Sequence, residues 1–160
     1  MKRIKDYTKF KDMHKGETCI TIANGPSLEE VPVEFLRKYP SFGVNRITQM
    51  AQTHDFMPTY YSCIGYNQLD TPEKRATIHP ALEHVNCGGA FINRLWMHKF
   101  PYDNVWGIKS IADYDKSADT LFFSLDPLHI IGIRGTMMLP VFQLAYYMGF
   151  TTCLVVGLDH

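Results

Sequence analysis

The chain has 160 residues, 46% of them apolar and 13% aromatic, and its 16 lysines and arginines balance its 16 aspartates and glutamates, so the formal net charge is zero. At this length one core removes roughly 68–70% of the unfolded surface from water, which suits a single domain and excludes both two independent domains and disorder. A neutral chain offers polyanions no sequence-independent attraction, so neither nucleic acid nor an anionic membrane is an expected partner.

Met1 to Lys15 carries six cations and no apolar stretch, so residues 1–16 read as a basic helical segment and not a secretory signal. Cys19-Ile20-Thr21-Ile22-Ala23 reads as a first strand, closed by the turn Asn24-Gly25-Pro26. Ser27-Leu28-Glu29-Glu30 has the spacing of a capping box and predicts a helix start. Pro32 suits the first turn of a short helix over Val33–Lys38, and a second strand follows at Phe42–Asn45.

Pro58–Ile64 is rich in aromatic and β-branched residues and predicts a third strand. Thr71–His84 reads as one helix, Cys87–Ile92 as a fourth strand, and Val105–Ile108 as a fifth. Ala112–Thr120 is polar and reads as a loop or lid. Val141, Leu144, Ala145 and Met148 fall at the spacing of a buried helical stripe, with Pro140 confined to the first turn and Gly149 at the C′ position. Cys153–Leu158 is a continuous apolar run, which predicts a central parallel strand covered on both faces.

Together these elements predict an α/β fold over residues 17–160: a Rossmann-like, doubly wound, mostly parallel sheet with helices on both faces. No stretch approaches the roughly 18 apolar residues of a membrane span. A cytoplasmic location is expected. Cys19, Cys63, Cys87 and Cys153 form no Cys-x-x-Cys pair and read as buried reduced thiols.

In such sheets ligands bind beyond the carboxyl ends of the strands. Asn24, Gly25, Pro26 and Ser27 follow the first strand, where free N–H groups at a helix start favour a phosphate or carboxylate; the alternative is a plain turn with its cap. Asn45 and Asn67 end strands, and their carboxamides suit a ribose, a base edge or a sugar hydroxyl, or simply close a turn. Thr136 caps the long helix or meets a second anion, and Arg134 pairs with a phosphate or faces water. Asp159 can bind a divalent cation or orient an imidazole, and His160 can act as a general acid or base. His14, His54, His79, His84, His98 and His129 lack ligand spacing, so no metal site is expected. Trp96 and Trp106 read as core or rim.

The blocks Lys15–Leu28 with Asn-Gly-Pro-Ser-Leu, Phe42–Ile47, Pro58–Tyr61, Gln143–Phe150 and Gly157-Leu158-Asp159-His160 resemble, in order and over nearly the whole chain, the 6-hydroxymethylpterin diphosphokinase-like superfamily. That Rossmann-like group includes motility accessory factors and surface-polysaccharide proteins, and is similar to bacterial CMP-sialic-acid-dependent sialyltransferases. The resemblance implies that Asn24 and Ser27 lie beside a nucleotide phosphate, that Asn45 and Asn67 reach the nucleotide or donor sugar, and that Thr136 sits near the donor. It also implies that the acceptor-side half of such an enzyme follows the Gly-x-Asp strand, which makes this chain a fragment or a binding-only relative.

Three functions follow as expectations. The first is a nucleotide-sugar-dependent glycosyltransferase, or its donor-binding domain, taking a donor such as a CMP-sugar and a glycan acceptor and needing no further cofactor. The second is an ATP-dependent diphosphotransferase using Mg²⁺, with Asp159 as its metal-facing carboxylate. The third is a non-catalytic α/β module completed by a partner, a homo-oligomer among the options.

Overall fold

The computed structural model describes residues 7–84, 88–112, 123–127, 129–133 and 135–159. Six parallel strands form one sheet in the order β5-β4-β3-β2-β1-β8: β1 Thr18–Ile22, β2 Ser41–Val44, β3 Tyr60–Cys63, β4 Gly89–Asn93, β5 Val105–Ile108 and β8 Thr152–Val156. Two shorter parallel strands, β6 Ser110–Ala112 and β7 Ile131–Ile133, make a separate pair. The helices are α1 Val33–Leu36, α2 Met50–Thr53, α3 Pro72–Ala76, α4 His79–Leu82 and α5 Met138–Tyr147. This is a single-domain, Rossmann-like α/β fold.

Alternation along the strands feeds two cores, as a sheet covered on both faces requires. Cys19, Phe42, Tyr60, Phe91 and Trp106 pack on one face with Val141, Leu144, Ala145 and Met148, the predicted stripe of α5. Ile20, Ile22, Tyr61, Cys63, Ala90, Ile92 and Val105 pack on the other with Leu36, Ile78 and Leu82. Gly149, at φ +88°, completes a Schellman closure of α5: its N–H donates to Tyr146 O at 3.0 Å, and Phe150 N–H to Ala145 O at 3.1 Å.

Several elements differ from expectation, each for a local reason. Residues 1–6 lie outside the described residues, and the remainder of the basic segment is one 3-10 turn, Thr8–Phe10, followed by turns. It docks on the sheet: Phe10 is buried edge-on to Trp106 at 4.8 Å, and Lys9 Nζ lies 4.3 Å from the same ring. The helix predicted after Ser27 is a 3-10 turn, Pro26–Glu30, without a side-chain cap, because Pro32 holds Val31 extended at ψ 117° and stops any α-helix there. Thr71–His84 divides into α3 and α4, since Pro80 has no N–H to give the carbonyl of Ala76. Ala112 belongs to β6, and residues 113–120 of the predicted lid lie outside the described residues, as does Cys87.

The apolar run near the C-terminus is an edge strand of this sheet and not a central one. β8 pairs only with β1 among the described residues, with Thr152 exposed and Val155 at 42% exposure. Cys153 packs against one core, Leu154 and Val156 against the other. An apolar run reports coverage of both faces, which is partly present here, and says nothing about the number of neighbouring strands. Among the described residues no helix is long and apolar enough to cross a membrane.

Candidate functional site

From β1 the chain steps outward to β5 and then returns through α5 to β8 on the opposite side of β1. The order therefore reverses between β1 and β8, where doubly wound sheets place their ligand crevice. Asn24, Gly25, Pro26 and Ser27 leave β1 at this point, and Gly157 and Asp159 leave β8 opposite them.

In this structure the crevice is closed by the chain itself. Gly25 N–H donates to Gly157 O at 2.8 Å. Ser27 N–H donates to Asp159 Oδ2 at 3.0 Å, and the Ser27 hydroxyl donates to Asp159 Oδ1. The loops approach so closely that a Cβ on Gly25 would lie 2.6 Å from Gly157 O, which explains the glycine by space and not by dihedral angle. The two N–H groups expected to face a phosphate thus already have acceptors. One of these acceptors is the Asp159 carboxylate.

One strand further along the same edge the structure is open. A cavity of about 420 Å³ lies at the carboxyl ends of β2 and β3, and its lining includes Asn45, Arg46, Thr48, Gln49, Lys74 and Thr77. A smaller cavity of about 180 Å³, lined by Arg37, Ser41 and Thr59 among others, lies at the opposite, amino-terminal ends of these strands.

Asn45 starts the 3-10 turn Asn45–Gln49 at φ +49°, a left-handed conformation that asparagine tolerates better than other residues bearing a Cβ. Its main-chain oxygen accepts from the Tyr61 hydroxyl at 2.9 Å, while its side-chain Oδ1 is enclosed without a hydrogen-bond partner among the described residues. Lys74 reaches Asn67 O at 2.7 Å and Asp70 Oδ1 at 2.8 Å. The Lys74 contact holds the Asp70 carboxyl below its ordinary range. Glu73, also in the lining, is held below the usual range by its own main-chain N–H and the Thr71 hydroxyl. The lining carries Arg46, Lys74 and Glu73, with Lys74 paired to the Asp70 carboxylate beside it.

The structure gathers the described candidates at one edge of the sheet. Asn24 Nδ2 donates to Val44 O at 3.0 Å, which ties the β1 corner to the residue before Asn45. Asn67 is not part of the cavity lining, but its main-chain oxygen accepts from Lys74, which is. Thr136 is exposed and its hydroxyl accepts from the N–H of Met138, the first residue of α5, at 3.2 Å; its neighbour Met137, the N-cap residue, lies against Gly65, beyond β3. His160 and Arg134 lie outside the described residues.

Two amides passed over in the sequence prove structural. Asn93, at the end of β4, donates to Ile64 O at 2.9 Å and accepts from Leu95 N–H at 3.0 Å. Gln143, fully buried on α5, makes four hydrogen bonds that hold β7 and Ser124. A lone amide in an apolar run was their only signal. His14 is likewise occupied, stacked on Phe150 and bonded to the Tyr60 hydroxyl at 2.7 Å. Among the described residues no three His, Cys, Asp or Glu side chains gather in a metal-binding group.

Compared with known proteins, the chain matches no family model, no curated protein and no solved structure.

Proposed function

We propose that this chain is a nucleotide-sugar-binding domain of the glycosyltransferase type, sialyltransferase-like in its chemistry, with the donor nucleotide held in the cavity between the ends of β2 and β3. The observation that carries the reading is Asn45: strained at φ +49°, lining the cavity, with a side-chain oxygen that has no hydrogen-bond partner among the described residues. Buried polar atoms are nearly always paired, and strained backbone clusters at active sites and ligand clamps. A turn of this amide toward a bound ribose hydroxyl or exocyclic amine gains a hydrogen bond without breaking one at that oxygen.

The volume, about 420 Å³, falls in the range of small-molecule sites, roughly 300–1,000 Å³. Gln49, Thr48 and Thr77 add donors and acceptors for base and ribose, and Arg46 and Lys74 supply positive charge for the phosphate. In the transfer, the bond from the anomeric carbon to the phosphate oxygen breaks as the acceptor oxygen bonds that carbon. The nucleotide leaves with the negative charge, which the two cations stabilise. The acceptor's proton passes to a base, and Asp159 on the same sheet edge is the candidate; releasing it from Ser27 also frees an N–H for phosphate. The setting proposed is surface-glycan synthesis in the cytoplasm.

Calorimetric titration of the chain with CMP, CDP, UDP and GDP tests this. Binding by one of them, weakened about tenfold in Arg46→Ala or Lys74→Ala, each a loss of about 1.4 kcal/mol, supports the reading. Absence of binding at millimolar concentration overturns it, and ATP binding that requires Mg²⁺ would replace it with diphosphoryl transfer.

A further inference from the structure

Cys19 and Cys153 stand 134 positions apart in the sequence, yet they are direct partners across the β1–β8 ladder. Their sulfurs lie 3.4 Å apart. We propose that these two residues form a thiol–disulfide exchange site, which a small-molecule disulfide such as oxidised glutathione converts into an intrachain cross-strand disulfide.

Three features of the geometry support this. Neighbouring strands run about 4.8 Å apart, so in-register Cα atoms fall inside the 4.4–6.8 Å window that a disulfide requires. The sulfurs must close to about 2.0 Å, which small side-chain rotations within one ladder can supply. Access is unequal: Cys19 is fully buried, whereas Cys153 is half-buried on a strand that pairs only with β1 among the described residues. Cys63, the other described cysteine, is fully buried on β3 and packs in the opposite core, so it does not compete.

Access assigns the order of events, because a small reagent meets Cys153 before the buried Cys19. Hydrogen bonding from the Cys19 thiol lowers Cys153 to about 7, which favours its thiolate. The same contact, followed by burial and by the charge on Cys153, pushes Cys19 up. A thiol titrating near ambient pH is the most effective attacker. The Cys153 thiolate therefore attacks one sulfur of the small disulfide, forming a mixed disulfide and releasing one small thiolate. That step discharges Cys153 and so removes both its hydrogen bond with Cys19 and its charge, leaving burial as what holds Cys19 up. Cys19 then gives its proton to the departing small thiolate or to water and attacks the Cys153 sulfur, expelling the second small thiol. Two protein thiols are oxidised and one small disulfide is reduced to two thiols, which balances. The site does not depend on the nucleotide-sugar reading.

The test equilibrates the folded wild-type chain with mixtures of reduced and oxidised glutathione, quenches with acid, and maps tryptic peptides by mass spectrometry. The expected result is a peptide pair joined through Cys19 and Cys153 with a mass two hydrogens lower, reversed by dithiothreitol. Cys19→Ser should instead retain glutathione on Cys153, and the rate of iodoacetamide labelling of wild-type Cys153 should be half-maximal near pH 7. A wild-type chain that stays folded by circular dichroism but carries a persistent mixed disulfide at Cys153, or reacts only after denaturation, overturns the proposal. Both decisive outcomes are read on wild type, so a variant that fails to fold does not blunt the test.

Discussion

Replacing Gln143 by leucine isolates the worth of one buried amide, because leucine keeps a comparable volume and favours the helix. Gln143 Oε1 accepts from Ser124 N–H at 2.8 Å and Gly132 N–H at 2.9 Å, while Nε2 donates to Gly132 O at 3.0 Å and Leu139 O at 2.9 Å. Leu139 O keeps its helical partner, so the change strands the two N–H groups and the Gly132 carbonyl. Each buried polar group left unpaired costs about 1–3 kcal/mol, and the added apolar burial returns about 1–2 kcal/mol. Three such groups cost about 3–9 kcal/mol, so the net loss is about 1–8 kcal/mol, a large part of the roughly 5–15 kcal/mol that stabilises a domain. Urea denaturation with an unchanged slope measures it, and hydrogen exchange at Gly132 and Ser124 localises it to β7 and its neighbour. A loss below about 1 kcal/mol with the Gly132 amide still protected would refute the reasoning.

Gly25→Ala drives a methyl to 2.6 Å from the Gly157 carbonyl, a backbone atom that cannot swing away, and should cost about 1–3 kcal/mol in thermal or urea melts. Asn45→Gly relieves the strain at φ +49° and should preserve stability within about 1 kcal/mol while abolishing nucleotide binding, which separates a ligand role from a turn role in one calorimetric series. Lys74→Ala should raise the Asp70 pKa toward its ordinary value, followed by NMR titration of the carboxyl carbon. Because Asp70 is held low when folded, its contribution exists above the ordinary aspartate range and disappears as pH falls through the lowered value; in Lys74→Ala that pH dependence should shrink to what the main-chain N–H groups of Asp70 and Thr71 sustain.

Local signals were legible where one residue type decides the backbone. Gly149 and the apolar spacing around Leu144 reported α5, and Val105–Ile108 coincides with β5. Elements that exist only through long-range pairing were not: β6 and β7 have three residues each, too few to show a period, and are held by each other and by Gln143. The edge position of β8 escaped for the same reason, since the strand order is a property of the assembled sheet. At the site, Asn24, Asn45 and Asn67 were legible as strand-end amides, but Asp159 filling the Ser27 corner was not, because 132 positions separate the partners. The Cys19–Cys153 contact, equally remote in sequence, required the parallel register of β1 and β8.

The most direct measurement is a nitrogen-15 NMR titration of the chain with cytidine monophosphate and the corresponding uridine and guanosine nucleotides. The expected result is saturable shifts confined to the amides of Asn45, Arg46, Thr48, Gln49, Lys74 and Thr77, with Ser27 moving as Asp159 is displaced. Shifts centred on Arg37, Ser41 and Thr59 at the opposite end of the strands, or no shifts for any nucleotide at millimolar concentration, would contradict it.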